Sequence, residues 1–381
     1  MKSDVIIIEN KKRNIDIIKN LIYEELGRKN TSVHLGLNVE KILYIVKNNY
    51  IDLIILNLDS NLEDIFKILD KINYLINKRE FNIPIIVYSN SFNKDTVEKL
   101  FELGAIDYFI DPLSSDEKLS VLSFKIKNAL KNYKYNKYQL KINNENKKQL
   151  KLGTILQKSL MFKYKELQNI KITGRYIPST ALGGDCYDSI ETNGKTWFMI
   201  ADVMGHGASA AMVSFMVKAL FNQLATMYKT PKKLLEEINT TYYKMFENKS
   251  DIIFSIFIGT IYKNKLTYSS AGHPYPIFYD NETNNTEFLS NNNILIGITP
   301  NSNFSQKTRI INKGDIVFLY TDGLYEQIPD MRDINLINMY IQNNKDILIT
   351  NQELFMDNII KQFNDTEQFE DDVAILAVKK K

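Results

Sequence analysis

Thr196-Trp197-Phe198-Met199-Ile200-Ala201-Asp202-Val203-Met204-Gly205-His206-Gly207 reads as a strand that ends on a carboxylate and breaks into a glycine-rich turn. The run up to Asp202 is apolar enough to be buried, so its last side chain can be held rigidly. Gly205 and Gly207 let the backbone turn sharply and approach whatever that carboxylate binds. A helical block, Ala208–Tyr228, follows the turn. A second, Pro231–Phe246, starts with proline at the tolerated first turn. Outward from this stretch lie further strand-like runs: Ile172–Tyr176, Ile252–Tyr262, Lys265–Ser269, Pro276–Tyr279, Asp315–Tyr320 and Val373–Val378. Strands in runs with the helices grouped elsewhere predict an α+β domain over 167–381. Its expected form is two stacked antiparallel sheets flanked by helices, α-β-β-α.

Asp202 has three counterparts in similar settings. They are Asp185 in Gly183-Gly184-Asp185, Asp322 in Tyr320-Thr321-Asp322-Gly323, and Asp371 in Glu370-Asp371-Asp372. Each sits at the edge of an apolar run or beside a turn or an acidic pair. Hard divalent cations such as Mg2+ and Mn2+ take carboxylate, carbonyl and water oxygens. Two such ions close together make a water nucleophilic and clamp a phosphoryl group. Any one of these aspartates alone reads as a turn or cap residue. A cation is what lets four carboxylates stand near one point without mutual repulsion.

A chain of 381 residues is too long for one ordinary core and predicts two domains with a connector. The net charge of +3 is small, and no basic stripe interleaves with aromatics, so no nucleic-acid partner is expected. The excess of Ile, Asn and Lys reads as AT-rich coding. Cys186 is the only cysteine, which rules out an intrachain disulfide. The N-terminus shows no signal-peptide core, and no apolar stretch is read as reaching the roughly 20 residues that span a bilayer. The expectation is a soluble cytoplasmic protein with no membrane partner.

Residues 1–118 alternate strands and helices, the pattern of a doubly wound parallel α/β sheet. Strand candidates are Val5–Ile8, Thr31–Leu35, Asp52–Leu58, Pro84–Tyr88 and Tyr108–Ile110. Ile15, Ile18, Ile22 and Leu26 mark one helix face; Val39–Lys47, Ile65–Asn77 and Thr96–Leu103 are the other helical stretches. With Asp52–Asn57, Pro84–Ser89 and Gly104–Pro112, this segment resembles the CheY-like receiver domains of response regulators. Receivers carry an acidic pair after the first strand, where this chain has Glu9-Asn10. The phosphoacceptor position falls at Asn57, a poor nucleophile, and the phosphoryl-contacting lysine position falls at Asp111. Ser89 keeps the hydroxyl position, and Asp59 stands two residues beyond Asn57 as a weak substitute. The resemblance therefore implies a phosphorylation-independent pseudo-receiver used for docking or dimerisation.

Residues 119–166 read as a helical linker. Leu119, Leu122, Ile126, Leu130, Tyr133 and Leu140 fall at coiled-coil spacing, broken at Lys137. Two readings stand: a parallel dimer seam, or an amphipathic helix lying on its own domain. The stretch 141–151 is polar without proline, a solvated helix or a frayed hinge. Leu152, Leu156 and Leu160 resume a helical stripe across Gly153.

Gly183–Asp188 and Asp202–Gly207 resemble the SpoIIE/RsbU-type branch of the PPM (protein phosphatase 2C-like) serine/threonine phosphatases. Ser270-Ala271-Gly272-His273-Pro274, Leu295-Ile296-Gly297, Lys313-Gly314-Asp315, Tyr320–Glu326 and Asp371-Asp372-Val373-Ala374 follow in family order. Ile155–Leu160 resembles the helix that precedes such domains, with Met161 where a proline is usual. The resemblance implies a metal-dependent phosphatase for phosphoserine or phosphothreonine holding two Mn2+ or Mg2+ ions. It implies that Asp202 bridges both ions, the Val203 carbonyl adds a ligand, and Asp322 and Asp371 complete the second ion. Asp185 would hold a water by hydrogen bond or coordination, and Asp372 would support the set from behind. Hydrolysis would be direct, without a phosphoenzyme.

His206 follows Asp202 by four residues and is a candidate proton donor or a helix-entry residue. His273 reads as a turn residue, Cys186 as packing, and Arg175 is not adopted as a phosphate grip. The resemblance implies a phosphorylated protein substrate, a STAS-type anti-sigma-factor antagonist among the options, and a homodimer through linker or receiver. The rival is a non-catalytic signalling adaptor that binds partners through both domains. A DNA-binding regulator is set aside because no helix-turn-helix candidate follows residue 118.

Overall fold

The structure is a computed structural model that describes residues 3–36, 39–59, 62–76, 82–246, 252–291, 293–326, 335–364 and 369–381. The chain divides into two compact units, Met1–Asn146 and Lys147–Lys381. That division falls inside the segment expected as a connector.

In the first unit the elements run β1 (Ser3–Ile8), α1 (Lys12–Leu26), β2 (Thr31–Leu35), α2 (Val39–Asn48), β3 (Leu53–Asn57), α3 (Leu62–Ile76), β4 (Ile85–Ser89), α4 (Lys94–Glu102), β5 (Ala105–Ile110) and the part up to Asn146 of the long helix α5 (Asp116–Leu160), whose remainder belongs to the second unit. The strands form one sheet in the order β2-β1-β3-β4-β5, and every neighbouring pair is parallel. Burial on both faces explains why these runs are apolar throughout. Ile6, Ile54, Leu56 and Val87 face α2 and α3, whereas Val5, Ile7, Leu53 and Ile55 face α1 and α5. This parallel α/β sheet fits a receiver-like domain.

Along its first part, helix α5 follows the second of the two readings, a helix lying on its own domain. Leu122, Ile126 and Leu130 are buried in the first unit's own core, packed with Ile18, Ile22 and Ile55. Over Leu122, Ile126 and Leu130 the spacing that reads as a coiled-coil face is the face α5 lays on its own sheet, whereas Leu140 farther along is exposed. Lys137 is no flaw in a seam. Its ammonium pairs with Asp52 at 3.7 Å and lies over the rings of Tyr50 and Tyr133. Residues 141–151 are helical, and Gly153 does not interrupt the helix.

In the second unit come β6 (Tyr164–Leu167), β7 (Ile170–Ile177), β8 (Cys186–Thr192), β9 (Lys195–Val203), α6 (Ala208–Met227), α7 (Pro231–Phe246), β10 (Phe254–Tyr262), β11 (Lys265–Ala271), β12 (Ile277–Asp280), β13 (Asn285–Phe288), β14 (Lys307–Ile310), β15 (Ile316–Tyr320), α8 (Asn335–Asn343), α9 (Lys345–Thr350), α10 (Gln352–Phe363) and β16 (Val373–Lys380). They build two antiparallel sheets, β14-β11-β10-β9-β8 and β13-β12-β15-β16-β7-β6. One core takes side chains from both sheets, among them Trp197, Phe257, Val317, Leu319, Ala374 and Leu376. The alternate residues of β15 and β16, such as Ile316, Phe318 and Ile375, pack with Phe355, Ile359 and Phe363 of α10. Helices α8–α10 lie outside the two helical blocks read from the sequence.

The helix α6 also corrects the reading of apolar length. Over its 20 residues it is long and apolar enough to cross a membrane by composition, but half of that window is buried in the unit. Ala210, Val213, Val217, Phe221 and Leu224 face the core, so its apolarity has a packing use.

Candidate active site

Each sheet of the second unit delivers acidic residues at adjacent strand ends. Cys186 pairs with Ala201, so Asp185 at the head of β8 stands beside Asp202 near the end of β9. Tyr320 pairs with Ile375, so Asp322, just past β15, stands beside Asp371 and Asp372, just before β16. Antiparallel pairing thus makes neighbours of acids that lie far apart in the sequence.

Close backbone approach joins the two groups. The Gly184 N–H donates to Asp372 Oδ2 at 2.5 Å, and Ser179 donates to Oδ1 from its N–H at 2.7 Å and its hydroxyl at 3.0 Å. A Cβ on Gly184 would lie 2.6 Å from the Val203 carbonyl oxygen, a backbone atom that cannot step aside. Past Val203 the chain turns through Gly205 and Gly207 at φ of 90° and 84°, which L side chains rarely adopt. Asp202, Asp322 and Asp371 then line one cleft of about 640 Å3, with Ser255, His273 and Tyr325 among its other walls.

The electrostatics of this cluster call for positive charge. Burial first, then the Asp202 charge, hold the Asp185 carboxyl well above its ordinary value. Asp202 is pushed up to about 7, by burial and then by Asp322 and Asp371. Asp322 is raised to about 6 by burial, Glu326 and Asp371. Asp185 and Asp202 thus face each other as neighbouring buried carboxyls, charge on Asp202 raising the cost of charge on Asp185. Asp185 Oδ2 is buried without any hydrogen-bond partner, a costly arrangement for a carboxyl oxygen.

The donor set fits hard divalent ions: carboxylates, the adjoining Val203 carbonyl and an unsatisfied buried oxygen. Among the described residues no three His, Cys, Asp or Glu side chains surround one point closely enough to hold a single ion alone. Carboxylates spread along one cleft instead suit ions that share ligands and complete their shells with water.

His206 is exposed in the turn and is not among the described residues lining the cleft. His273 does line it, buried, with Ser255 Oγ at 2.7 Å from Nδ1; burial lowers it to about 3, so the ring is neutral. Ser255 pairs directly with Asp202 across β9 and β10. Cys186 is fully buried, and burial pushes its thiol up to about 12, in keeping with packing. Arg175 lies in a different cleft and is engaged by Asp357 at 2.8 Å. Sequence reasoning missed Thr321, which lies beside Asp185, and Gln157, which holds Gly183. Both lie in stretches already marked, Tyr320–Glu326 and Ile155–Leu160, but a short hydroxyl and a helical amide do not announce their partners.

Residues 192–381 match the family model described as Stage II sporulation protein E (SpoIIE). The second unit is a SpoIIE-type phosphatase domain. The chain is similar to phosphoserine phosphatase RsbU of Bacillus subtilis (strain 168), 24% identical over 255 residues, or 63% of this chain and 72% of that protein. It is also similar to phosphoserine phosphatase RsbP of the same organism, 26% identical over 193 residues, 49% of this chain and 47% of RsbP. The fold of the SpoIIE-type unit is that of the SiaA-PP2C domain of Pseudomonas aeruginosa. That match has a TM-score of 0.53 and 14% identity, covering 63% of this chain and 99% of that one.

In the first unit, the degenerate phosphoacceptor position Asn57 is part of a closed hydrogen-bond cluster. Glu9 Oε2 accepts from Asn57 Nδ2 at 2.7 Å, Asn14 Nδ2 at 2.9 Å and the Tyr88 hydroxyl. Its Oε1 accepts from the Asn10 and Lys11 N–H groups at 2.7 and 2.8 Å. Burial pushes the Glu9 carboxyl up, but the bonds from Lys11, Tyr88, Asn14 and Asn57 outweigh it and hold it below its ordinary value. Asp59, the weak substitute, is itself held by Ser89 Oγ at 2.9 Å and by Asn90. Asp111 pairs with Lys118 at 3.5 Å.

Proposed function

We propose that this protein hydrolyses phosphoserine or phosphothreonine on a protein substrate, using two Mn2+ or Mg2+ ions held by the acidic cleft of its SpoIIE-type domain. The observation that carries the reading is the meeting of Asp202, Asp322 and Asp371 in one cleft beside the buried, unsatisfied oxygen of Asp185. When bound, the ions supply charge neutralisation for the phosphoryl group and activation of the attacking water.

In this reading Asp202, the Val203 carbonyl, Asp322 and Asp371 would hold the ions. Asp185 orients the attacking water. Asp372 holds the Gly183-Gly184 backbone through which Asp185 is placed. His206, outside the cleft lining, is not assigned the leaving-group proton. Two curated relatives named as phosphoserine phosphatases support the substrate class. A STAS-type antagonist, a cytoplasmic location, the layered α-β-β-α arrangement and a homodimer belong to the same reading. So does control by a first unit that works without phosphorylation. A non-catalytic adaptor has no use for buried carboxyls raised this far above their ordinary values.

The test is release of phosphate from a phosphoseryl protein by the full chain in Mn2+ and in chelator. Mn2+-dependent release is expected. Folded protein that releases none with either ion contradicts the proposal.

A further inference from the structure

Gln157 sits near the end of α5, 1% exposed. Its Nε2 donates to the Gly183 carbonyl at 2.7 Å, and the Gly183 N–H donates to its Oε1 at 3.1 Å. One side chain thus gives Gly183 the paired bonds a neighbouring strand would give. Gly183 lies two residues before Asp185.

The rest of this loop is gripped by the same stretch of helix. Thr154 Oγ1 donates to the Ala181 carbonyl at 2.5 Å, and the Leu182 side chain lies 3.2 Å from where a Gly153 Cβ would stand. On the far side Asp372 takes the Gly184 N–H, and the Gly207 N–H at the head of α6 donates to the Leu182 carbonyl at 3.1 Å. Gly183 has no room to shift. A Cβ there would come within 2.4 Å of Asp372 Cγ and of the Tyr176 hydroxyl. Asp185 Oδ2 has no partner of its own, so the backbone of this loop, with Thr321 beside the carboxyl, sets where that oxygen points.

We propose that Gln157 is a positioning residue for Asp185: its amide fixes the Gly183 backbone and thereby the placement of the carboxyl in the acidic cleft. The proposal rests on the phosphatase reading and adds a residue outside every acidic motif. It predicts that losing the amide lowers turnover and weakens ion binding while substrate affinity holds.

The test uses the full chain with Gln157→Met, which keeps the length and removes both hydrogen bonds, and Gln157→Glu. Turnover of p-nitrophenyl phosphate, its KM, the Mn2+ midpoint and Trp197-monitored melting in chelator are measured for each. Gln157→Met is expected to lose about tenfold or more in kcat, equivalent to about 1.4 kcal/mol. Its KM should stay within about twofold, and its Mn2+ midpoint should rise severalfold. A protonated glutamic acid offers one donor and one acceptor, as the amide does, whereas the ionised form opposes the Gly183 carbonyl. The ratio of Gln157→Glu to wild-type kcat should therefore climb as pH falls.

Wild-type kcat and Mn2+ midpoint in Gln157→Met, with a flat pH ratio for Gln157→Glu, overturn the proposal and leave the phosphatase reading standing. A loss accounted for wholly by unfolded protein overturns it too. If the wild type binds Mn2+ without hydrolysis, the phosphatase reading fails. An unchanged Mn2+ midpoint in Gln157→Met then overturns this proposal as well.

Discussion

Replacing Asp202 by asparagine should stabilise the metal-free protein. Burial and the Asp322 and Asp371 charges raise the Asp202 carboxyl from 3.8 to about 7. At about 1.36 kcal/mol per unit, keeping it ionised costs the metal-free fold about 4 kcal/mol. The sign follows from proton uptake. Between these values the folded chain holds a proton that the unfolded chain has released. The contribution is complete below about pH 4 and is lost as pH rises through about 7. Asparagine is neutral at every pH and keeps an oxygen able to accept a hydrogen bond. After allowing about 1 to 2 kcal/mol for weakened hydrogen bonding, the variant should gain about 2 to 3 kcal/mol at about pH 8. For a unit of this size that is a rise of about 4 to 12 °C in melting temperature.

Trp197 is the only tryptophan and is 1% exposed on β9, so its emission follows the unfolding of the right unit. Melting is recorded in chelator and in excess Mn2+ for wild type and Asp202→Asn. Wild type should gain stability with Mn2+, by an amount set by free ion over its dissociation constant, and the variant should gain little. An Asp202→Asn protein that melts at or below wild type in chelator at about pH 8 would refute the electrostatic reasoning.

Further outcomes follow from the same geometry. Gly184→Ala forces a methyl onto the Val203 carbonyl, so turnover should fall at least about a hundredfold and the Mn2+-induced melting shift should shrink. Glu9→Ala strips the partner from Asn57, Tyr88 and two backbone N–H groups. The first unit should lose about 2 to 4 kcal/mol, seen as a lower urea midpoint by circular dichroism. Asn57→Asp sets a second carboxylate against Glu9 and should cost about 1 to 3 kcal/mol at neutral pH, while acetyl phosphate should leave wild type unmodified by mass spectrometry. Ile126→Ala opens the core beneath α5 and should cost about 2 to 5 kcal/mol by the same denaturation assay.

The acids are legible in the sequence because glycine, aspartate and abrupt ends of apolar runs mark sharp turns at strand tips. Asp185, Asp202, Asp322 and Asp371 stand out for that reason. The parallel sheet of the first unit is legible too, since strands buried on both faces are apolar throughout, as Leu53–Leu56 are. Spacing alone does not say what a helix face meets. Leu122, Ile126 and Leu130 serve a coiled coil and a domain core equally well as a pattern, and only the fold shows the core. Helix α10 is readable from Phe355, Met356, Ile359, Ile360 and Phe363 at three- and four-residue steps, but Asn-rich flanks obscure it. Strand β8 is short and mixed, with Asp188 and Ser189 inside it, and presents no apolar run. Gln157 and Thr321 stand inside stretches the sequence marks, Ile155–Leu160 and Tyr320–Glu326, but their roles are not legible there because their partners are backbone groups or side chains far away along the chain.

The most direct test of the two-ion phosphatase account is a calorimetric Mn2+ titration of chelator-stripped protein, with p-nitrophenyl phosphate turnover measured on the same samples. Wild type is expected to bind two ions and to gain turnover as they bind. Asp202→Ala should lose both responses while Trp197 keeps its buried emission. Wild type that is folded by that emission and takes up no Mn2+, or binds it with no turnover, would contradict the account.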